Sequence, residues 1–186
     1  MPAFQKEAWE ARAWERYRKK IEKDPSVGSQ ARGRLDADLN ALVGLEAAVM
    51  WCARRGIKVE FTNRRDAGVF SSEEKTIYVN SAQTYENALF VLLHESGHLL
   101  IGSEKLVAHH RFKLGYPSSN DPELRGKFIH RCAILEEEFE AWHRGRKLAK
   151  KLELDINEER WSILKARFLK SYIKWSLRHP DFEDHP

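Results

Sequence analysis

The stretch that decides the fold runs from Ala88 to Ile101 and reads Ala-Leu-Phe-Val-Leu-Leu-His-Glu-Ser-Gly-His-Leu-Leu-Ile. Leu89, Leu92, Leu93, Leu99 and Leu100 recur at helical spacing, Ser81 or Thr84 can cap the start, and Gly102 ends the pattern. The segment is therefore expected to be one apolar helix. Within it, His94-Glu95-Ser96-Gly97-His98 forms the H-E-x-x-H pattern. Residues four apart on a helix differ by roughly 40° in azimuth, so both imidazoles face the same way and can hold one metal ion. Glu95 sits one step around the cylinder, where it can reach a water at the metal without being a ligand. Two unliganded histidines among leucines would cost burial free energy without an evident return, so the pair reads as metal ligands.

Three protein ligands and one open position make a catalytic zinc site. The longer pattern H-E-x-x-H-x-x-G-x-x-H is absent, because Ile101 and Glu104 stand where its glycine and third histidine would be. The remaining ligand is sought in Glu136-Glu137-Glu138-Phe139-Glu140-Ala141-Trp142, on a helix expected over about 128–152. With about 100° per residue from Ile134, the apolar residues Ala141, Gly145, Leu148 and Leu152 cluster within about 40° of zero. Glu138 falls inside that arc at about 40°, Glu137 at its rim near about 300°, and Glu136 and Glu140 in solvent near about 200° and about 240°. A carboxylate in the middle of an apolar face is expensive unless a cation neutralises it. Glu138 is therefore the leading third ligand, with Glu137, His109 and His110 as alternatives.

Working outward, residues 4–23 carry Phe4, Trp9, Ala13, Tyr17 and Ile21 at helical spacing, and Asp24-Pro25-Ser26-Val27-Gly28 stops the pattern. A second helix is expected over about 34–55, with Leu35, Leu39, Leu42, Val43, Leu45, Val49, Met50 and Cys52 on its apolar face. From Ile57 the period changes to two. Ile57-Lys58-Val59-Glu60-Phe61 alternates, Thr76-Ile77-Tyr78-Val79-Asn80 is β-branched and aromatic, and Asn63 and Gly68 signal turns. Two or three short strands are expected between 57 and 80. Gly, Pro, Ser and Asn make 115–127 a loop, and a last helix over about 158–177 shows Trp161, Leu164, Phe168, Tyr172 and Trp175 on one face.

The 186 residues are 42% hydrophobic and 32% charged, the balance of a folded, water-soluble chain with a charged surface. They suit one domain: N-terminal helices over 1–56, a core over 57–152 and a C-terminal helix over 153–186. No apolar run approaches the roughly 18 residues of a membrane span, and the acidic N-terminus is unlike a secretory signal. Cys52 and Cys132 belong to no Cys-x-x-Cys pair and read as reduced core residues of a cytoplasmic protein. The fold class expected is α+β, mainly helical, with a small sheet packed near the metal-binding helix.

On these residues the chain resembles the zincin metallopeptidases, and more narrowly the ImmA/IrrE-type family of bacterial and phage-related proteins. The resemblance rests on Ile77-Tyr78-Val79-Asn80, His94-Glu95-Ser96-Gly97-His98 and Glu138-Phe139-Glu140-Ala141, and it covers about 57–150. The spacing from His98 to Glu138 is longer than in that family, and Trp142 replaces a small polar residue. The resemblance implies that His94, His98 and Glu138 bind Zn2+ and that Glu95 is the catalytic carboxylate of a zinc endopeptidase acting on a protein or peptide. The strand at 76–80 would offer its edge to an extended substrate, and His109, His110 or Tyr116 would donate to the oxyanion. Iron, cobalt or manganese could also use such ligands.

Two other readings stand beside this one. An SprT-like, DNA-associated protease would take a downstream histidine as third ligand and suit the pI near 9.0 and the clusters Arg16, Arg18, Lys19, Lys20 and Arg144, Arg146, Lys147, Lys150, Lys151. The net charge is only +4 and acids interleave the clusters, so a solvated helix face is the simpler account and nucleic acid is not favoured. A non-catalytic, zinc-stabilised binding protein would dock a partner through Trp9, Trp14, Trp161 and Trp175, although aromatics at this spacing more often form core.

Overall fold

The chain's charged N-terminal segment folds as helix α1 (Lys6–Lys23), and Asp24 ends it. The Asp24 carboxylate accepts hydrogen bonds from the Ser26 backbone N–H and hydroxyl, starting a short 3-10 turn over Pro25–Val27. Helix α2 (Gly28–Ala53) follows at once. It begins a turn and a half before the expected position, because Ala31 and Leu35 already bury against α1 and offset the poor helix propensity of Gly28 and Gly33. These features belong to a computed structural model describing residues 6–63, 68–103, 112–116, 121, 123–124 and 127–177.

The buried side of α2 carries Leu42, Leu45 and Cys52 with the small residues Ala41, Gly44 and Ala48. Val43 and Met50, expected on that side, are exposed. They lie about 200° and about 140° around the helix from Leu45, so hydrophobic character alone misplaced them. Cys132 is likewise exposed rather than core, about 200° from Ile134 on its own helix, whereas Cys52 is buried. Among the tryptophans, Trp161 is buried, Trp9 partly so, and Trp14 and Trp175 are exposed.

Three strands follow: β1 (Lys58–Thr62), β2 (Gly68–Ser71) and β3 (Thr76–Asn80). Their order is β1-β3-β2, with β1 parallel to β3 and β2 antiparallel to it, placing Val59 beside Ile77 and Val69 beside Tyr78. β3 is therefore central. Its ladder groups are used on both sides, and the edge expected from residues 76–80 is supplied instead by β2. The buried Thr76, Ile77 and Val79 account for this order, since a strand so apolar is the one to enclose. Gly68 opens β2 and is no turn residue; a Cβ there would lie 2.3 Å from Val91 Cγ1, so only hydrogen fits.

Helix α3 (Tyr85–Ser103) starts at Thr84, whose hydroxyl accepts the Asn87 N–H. Helix α4 (Phe128–Lys151) and helix α5 (Glu158–Ser176) complete the chain, and Asn157 caps α5 through the Arg160 N–H. α3 lies at the centre, packed against α2, α4, α5, β2 and β3. Phe90, Val91, Leu92 and Leu93 are buried with Leu42, Leu45, Ile77, Val79, Trp142 and Trp161. The protein is thus an α+β fold, mainly helical, with a small three-stranded mixed sheet. Among the described residues, no helix is long and apolar enough to cross a membrane.

Candidate metal centre

The geometry of the site follows from how closely α3 and α4 approach. A Cβ on Gly97 would lie 2.0 Å from the Ala141 carbonyl oxygen, and one on Gly145 would lie 2.5 Å from that of Leu93. The two glycines thus make a reciprocal, antiparallel contact in which each helix's backbone rests on the other. Gly97 stands between the two histidines, and Ala141 and Gly145 follow Glu138 by one and two turns. Bare backbone at these points lets a carboxylate on α4 meet imidazoles on α3.

The meeting is observed. His94 Nε2 lies 3.3 Å from Glu138 Oε2, and His98 Nε2 lies 3.3 Å from Glu138 Oε1. One donor atom from each residue lies within 4.8 Å of the others. Nitrogen and oxygen ligands about 2.05 Å from a tetrahedral ion stand about 3.3 Å apart, which matches each imidazole's distance to its own Glu138 oxygen, so the group could hold a metal ion. Glu138 is 1% exposed, and its Oε2 has no hydrogen-bond partner among the described residues. A buried carboxylate whose two oxygens each face one imidazole, with no well-aligned hydrogen bond to Oε2, fits a cation better than it fits a structural role.

Burial alone would raise the Glu138 carboxyl, but the hydrogen bonds and charges of His94 and His98 outweigh it and hold it well below the usual carboxylate range. Burial would likewise lower His98; the bond to Glu138 and the charges of Glu138, Glu95 and Glu137 lift it instead. Trp142, fully buried, stacks on the His94 ring at 4.5 Å and 22° and is itself edged by Trp161 and Phe168. An aromatic stack of this kind fixes the ring plane of His94, which explains a tryptophan at that position.

Glu95 is buried and lines the same cavity of about 460 Å3 as His94, His98 and Glu138. Phe70, Ile101 and Phe112 give that cavity apolar walls, and Gly68 of β2 brings strand backbone beside the Glu95 side chain. Ser96, one of the two unspecified positions of the motif, donates its hydroxyl to Leu92 O, with Cys52 Sγ 3.6 Å from that hydroxyl.

The acidic run divides differently from the helical-wheel expectation in two places. Glu136 is exposed, as expected. Glu140 is half-buried, because Arg144 one turn on binds it at 2.8 Å. Glu137, expected at the rim or as a ligand, is 6% exposed on α4, at the edge of the cavity, and anchors the loop at 112–116. Its Oε2 accepts the Tyr116 N–H at 3.2 Å, a Cβ on Gly115 would sit 2.7 Å from the same oxygen, and its Oε1 lies 4.0 Å from His98 Nδ1. Burial raises the Glu137 carboxyl, against the Tyr116 N–H and His98, which lower it.

Tyr116 turns its hydroxyl onto Glu138 Oε1 at 2.5 Å and meets the Tyr172 hydroxyl of α5 at 3.1 Å. Tyr172 and the buried His130, whose Nδ1 lies 2.6 Å from Leu114 O, were not singled out for the site from sequence. Helical spacing placed Tyr172 only on an apolar face; a phenol there, one face-turn beyond Phe168, was the available signal. His109 and His110 lie outside the described residues. Comparison with protein-family models, with curated proteins and with solved structures gives no match.

Proposed function

We propose that the protein is a zinc-dependent endopeptidase of the H-E-x-x-H type with a downstream glutamate ligand, similar in kind to the ImmA/IrrE-type zincins. The observation that carries this reading is the convergence of His94, His98 and Glu138 beside a buried Glu95 in one cavity. His94 and His98 would bind through Nε2 and Glu138 through a carboxylate oxygen. Zinc, when bound, supplies Lewis acidity, polarising a peptide carbonyl and acidifying water.

The chain's own residues do the rest. The Glu95 carboxylate takes a proton from the attacking water and returns it to the leaving amine. Gly68 lets the strand backbone lie close against the Glu95 side chain, which fixes where that carboxylate sits in the cavity. The edge of β2, beside the cavity, can pair main chain with an extended substrate, the role that sequence had given to β3.

The test compares metal content and peptide hydrolysis in wild type, Glu95→Gln and Glu138→Ala. Glu95→Gln should keep stoichiometric zinc and lose hydrolysis by about 10²–10⁴-fold. Glu138→Ala should lose the zinc. Undiminished hydrolysis in Glu95→Gln, or full zinc in Glu138→Ala, would overturn the reading.

A further inference from the structure

We propose that Tyr116, seated by Tyr172 and Glu137, is a positioning residue that restricts Glu138 to binding the metal through one oxygen, Oε2. This rests on the metal-centre reading above and concerns how many donor atoms the protein gives the ion. A carboxylate can bind an ion with one oxygen or two. With two imidazoles, one oxygen leaves a four-coordinate ion an open position for water, whereas two oxygens fill it.

The structure treats the two oxygens of Glu138 differently. Oε1 accepts the Tyr116 hydroxyl at 2.5 Å, the length of a strong hydrogen bond to a charged acceptor. Oε2 receives no hydroxyl and no well-aligned hydrogen bond; it lies 3.3 Å from His94 Nε2, the same distance that separates Oε1 from His98 Nε2, so the phenol is what distinguishes the two oxygens. The phenol's one proton goes to Oε1, where it takes up a lone pair and draws off charge, leaving Oε2 as the stronger donor to an ion.

Tyr116 is held in this pose from two sides. The Tyr172 hydroxyl, 3.1 Å away on α5, fixes its oxygen, and the Glu137 carboxylate fixes its backbone N–H at 3.2 Å. Gly115 permits the second contact, since any side chain there would strike Glu137. Glu137 and Glu138 are neighbours in sequence, so α4 itself aligns the carboxylate that binds with the one that sets its clamp. Outer partners of metal ligands act in this way in general, and their loss commonly weakens metal binding by about 10–100-fold.

The experiment loads chelator-treated protein with Co2+ and follows its visible d–d absorption while measuring Kd by competition. Wild type, Tyr116→Phe, Tyr172→Phe and His94→Ala are compared, with far-UV circular dichroism as the check on folding. Tyr116→Phe should bind Co2+ about 10–100-fold more weakly. Its d–d bands should also lose intensity, as the freed Oε1 joins the ion and raises its coordination number. Tyr172→Phe should change both in the same direction and by less.

Wild-type Kd and spectrum in a folded Tyr116→Phe protein would overturn the proposal and leave the metal centre standing. Should Tyr116→Phe fail to fold, an unchanged Kd and spectrum in Tyr172→Phe overturns it instead. A wild-type protein that binds no more Co2+ than His94→Ala would overturn the metal centre and this inference together.

Discussion

Replacing Gly97 by alanine tests the helix contact on which the site depends. The added Cβ would lie 2.0 Å from the Ala141 carbonyl oxygen and 2.7 Å from its carbon, both backbone atoms with no rotamer to escape through. Ordinary contact begins at 3.4 Å, so α3 and α4 must part by about 1.4 Å at that point. Alanine is the better helix former by about 1 kcal/mol, which opposes the clash. Overpacking of a close interface costs about 1–3 kcal/mol and more where backbone must move. The net loss expected is about 2 kcal/mol, or about 4–8 °C in Tm for a chain of this size. The same displacement draws Glu138 away from His94 and His98, whose 3.3 Å separations leave no slack for a shared ion. Metal affinity should fall with stability. Thermal denaturation in chelator and zinc competition assays measure the two effects. Gly33→Ala is the control, since its Cβ meets nothing within 4 Å, and it should stabilise by about 0.5–1 kcal/mol. A Gly97→Ala protein as stable as that control, with wild-type zinc affinity, would refute the reasoning.

Two further outcomes are expected. In metal-free protein, His98, raised above 6.5, contributes stability present below that value and lost as pH rises through its folded pKa, whereas Glu138, depressed below 4.5, contributes stability lost only as pH falls through its folded pKa. Zinc must displace the His98 proton, so the gap in Tm between zinc-loaded and chelated protein should widen as pH rises through the raised His98 value; a gap that does not change with pH contradicts this. Trp142→Ala should cost about 3–5 kcal/mol in chelator and weaken zinc binding through the unstacked His94, and a loss below about 1 kcal/mol by denaturant titration would show that the stack is not structural.

Much of this arrangement was legible in the chain. The leucine periodicity around His94 and His98 gave α3, and the wheel from Ile134 turned Glu138 inward and Glu136 outward, because helix azimuth is a local property. What escaped depends on partners distant in sequence. Glu137 is buried by the loop at Gly115 and Tyr116, and Glu140 is drawn in by Arg144. The position of β3 between β1 and β2 follows from strand pairing, which no single strand's pattern encodes. Gly97 and Gly145 read as ordinary glycines until the helices that need them are brought together. Val43, Met50 and Cys132 show the opposite error, in which side-chain character outweighed an azimuth that was already available.

The reciprocal glycine contact also bears on what zinc would mean to this protein. Gly97 against Ala141 and Gly145 against Leu93 fix the register of α3 on α4 at two points one helical turn apart, with no ligand atom involved. Sliding by a turn would set a side chain where only hydrogen fits. If the proposed ion binds, the scaffold would therefore be expected to stand without it, unlike a zinc finger, whose chain has no fold until metal binds. Chelators should strip such a protein without unfolding it, and the metal becomes an exchangeable visitor to a finished pocket.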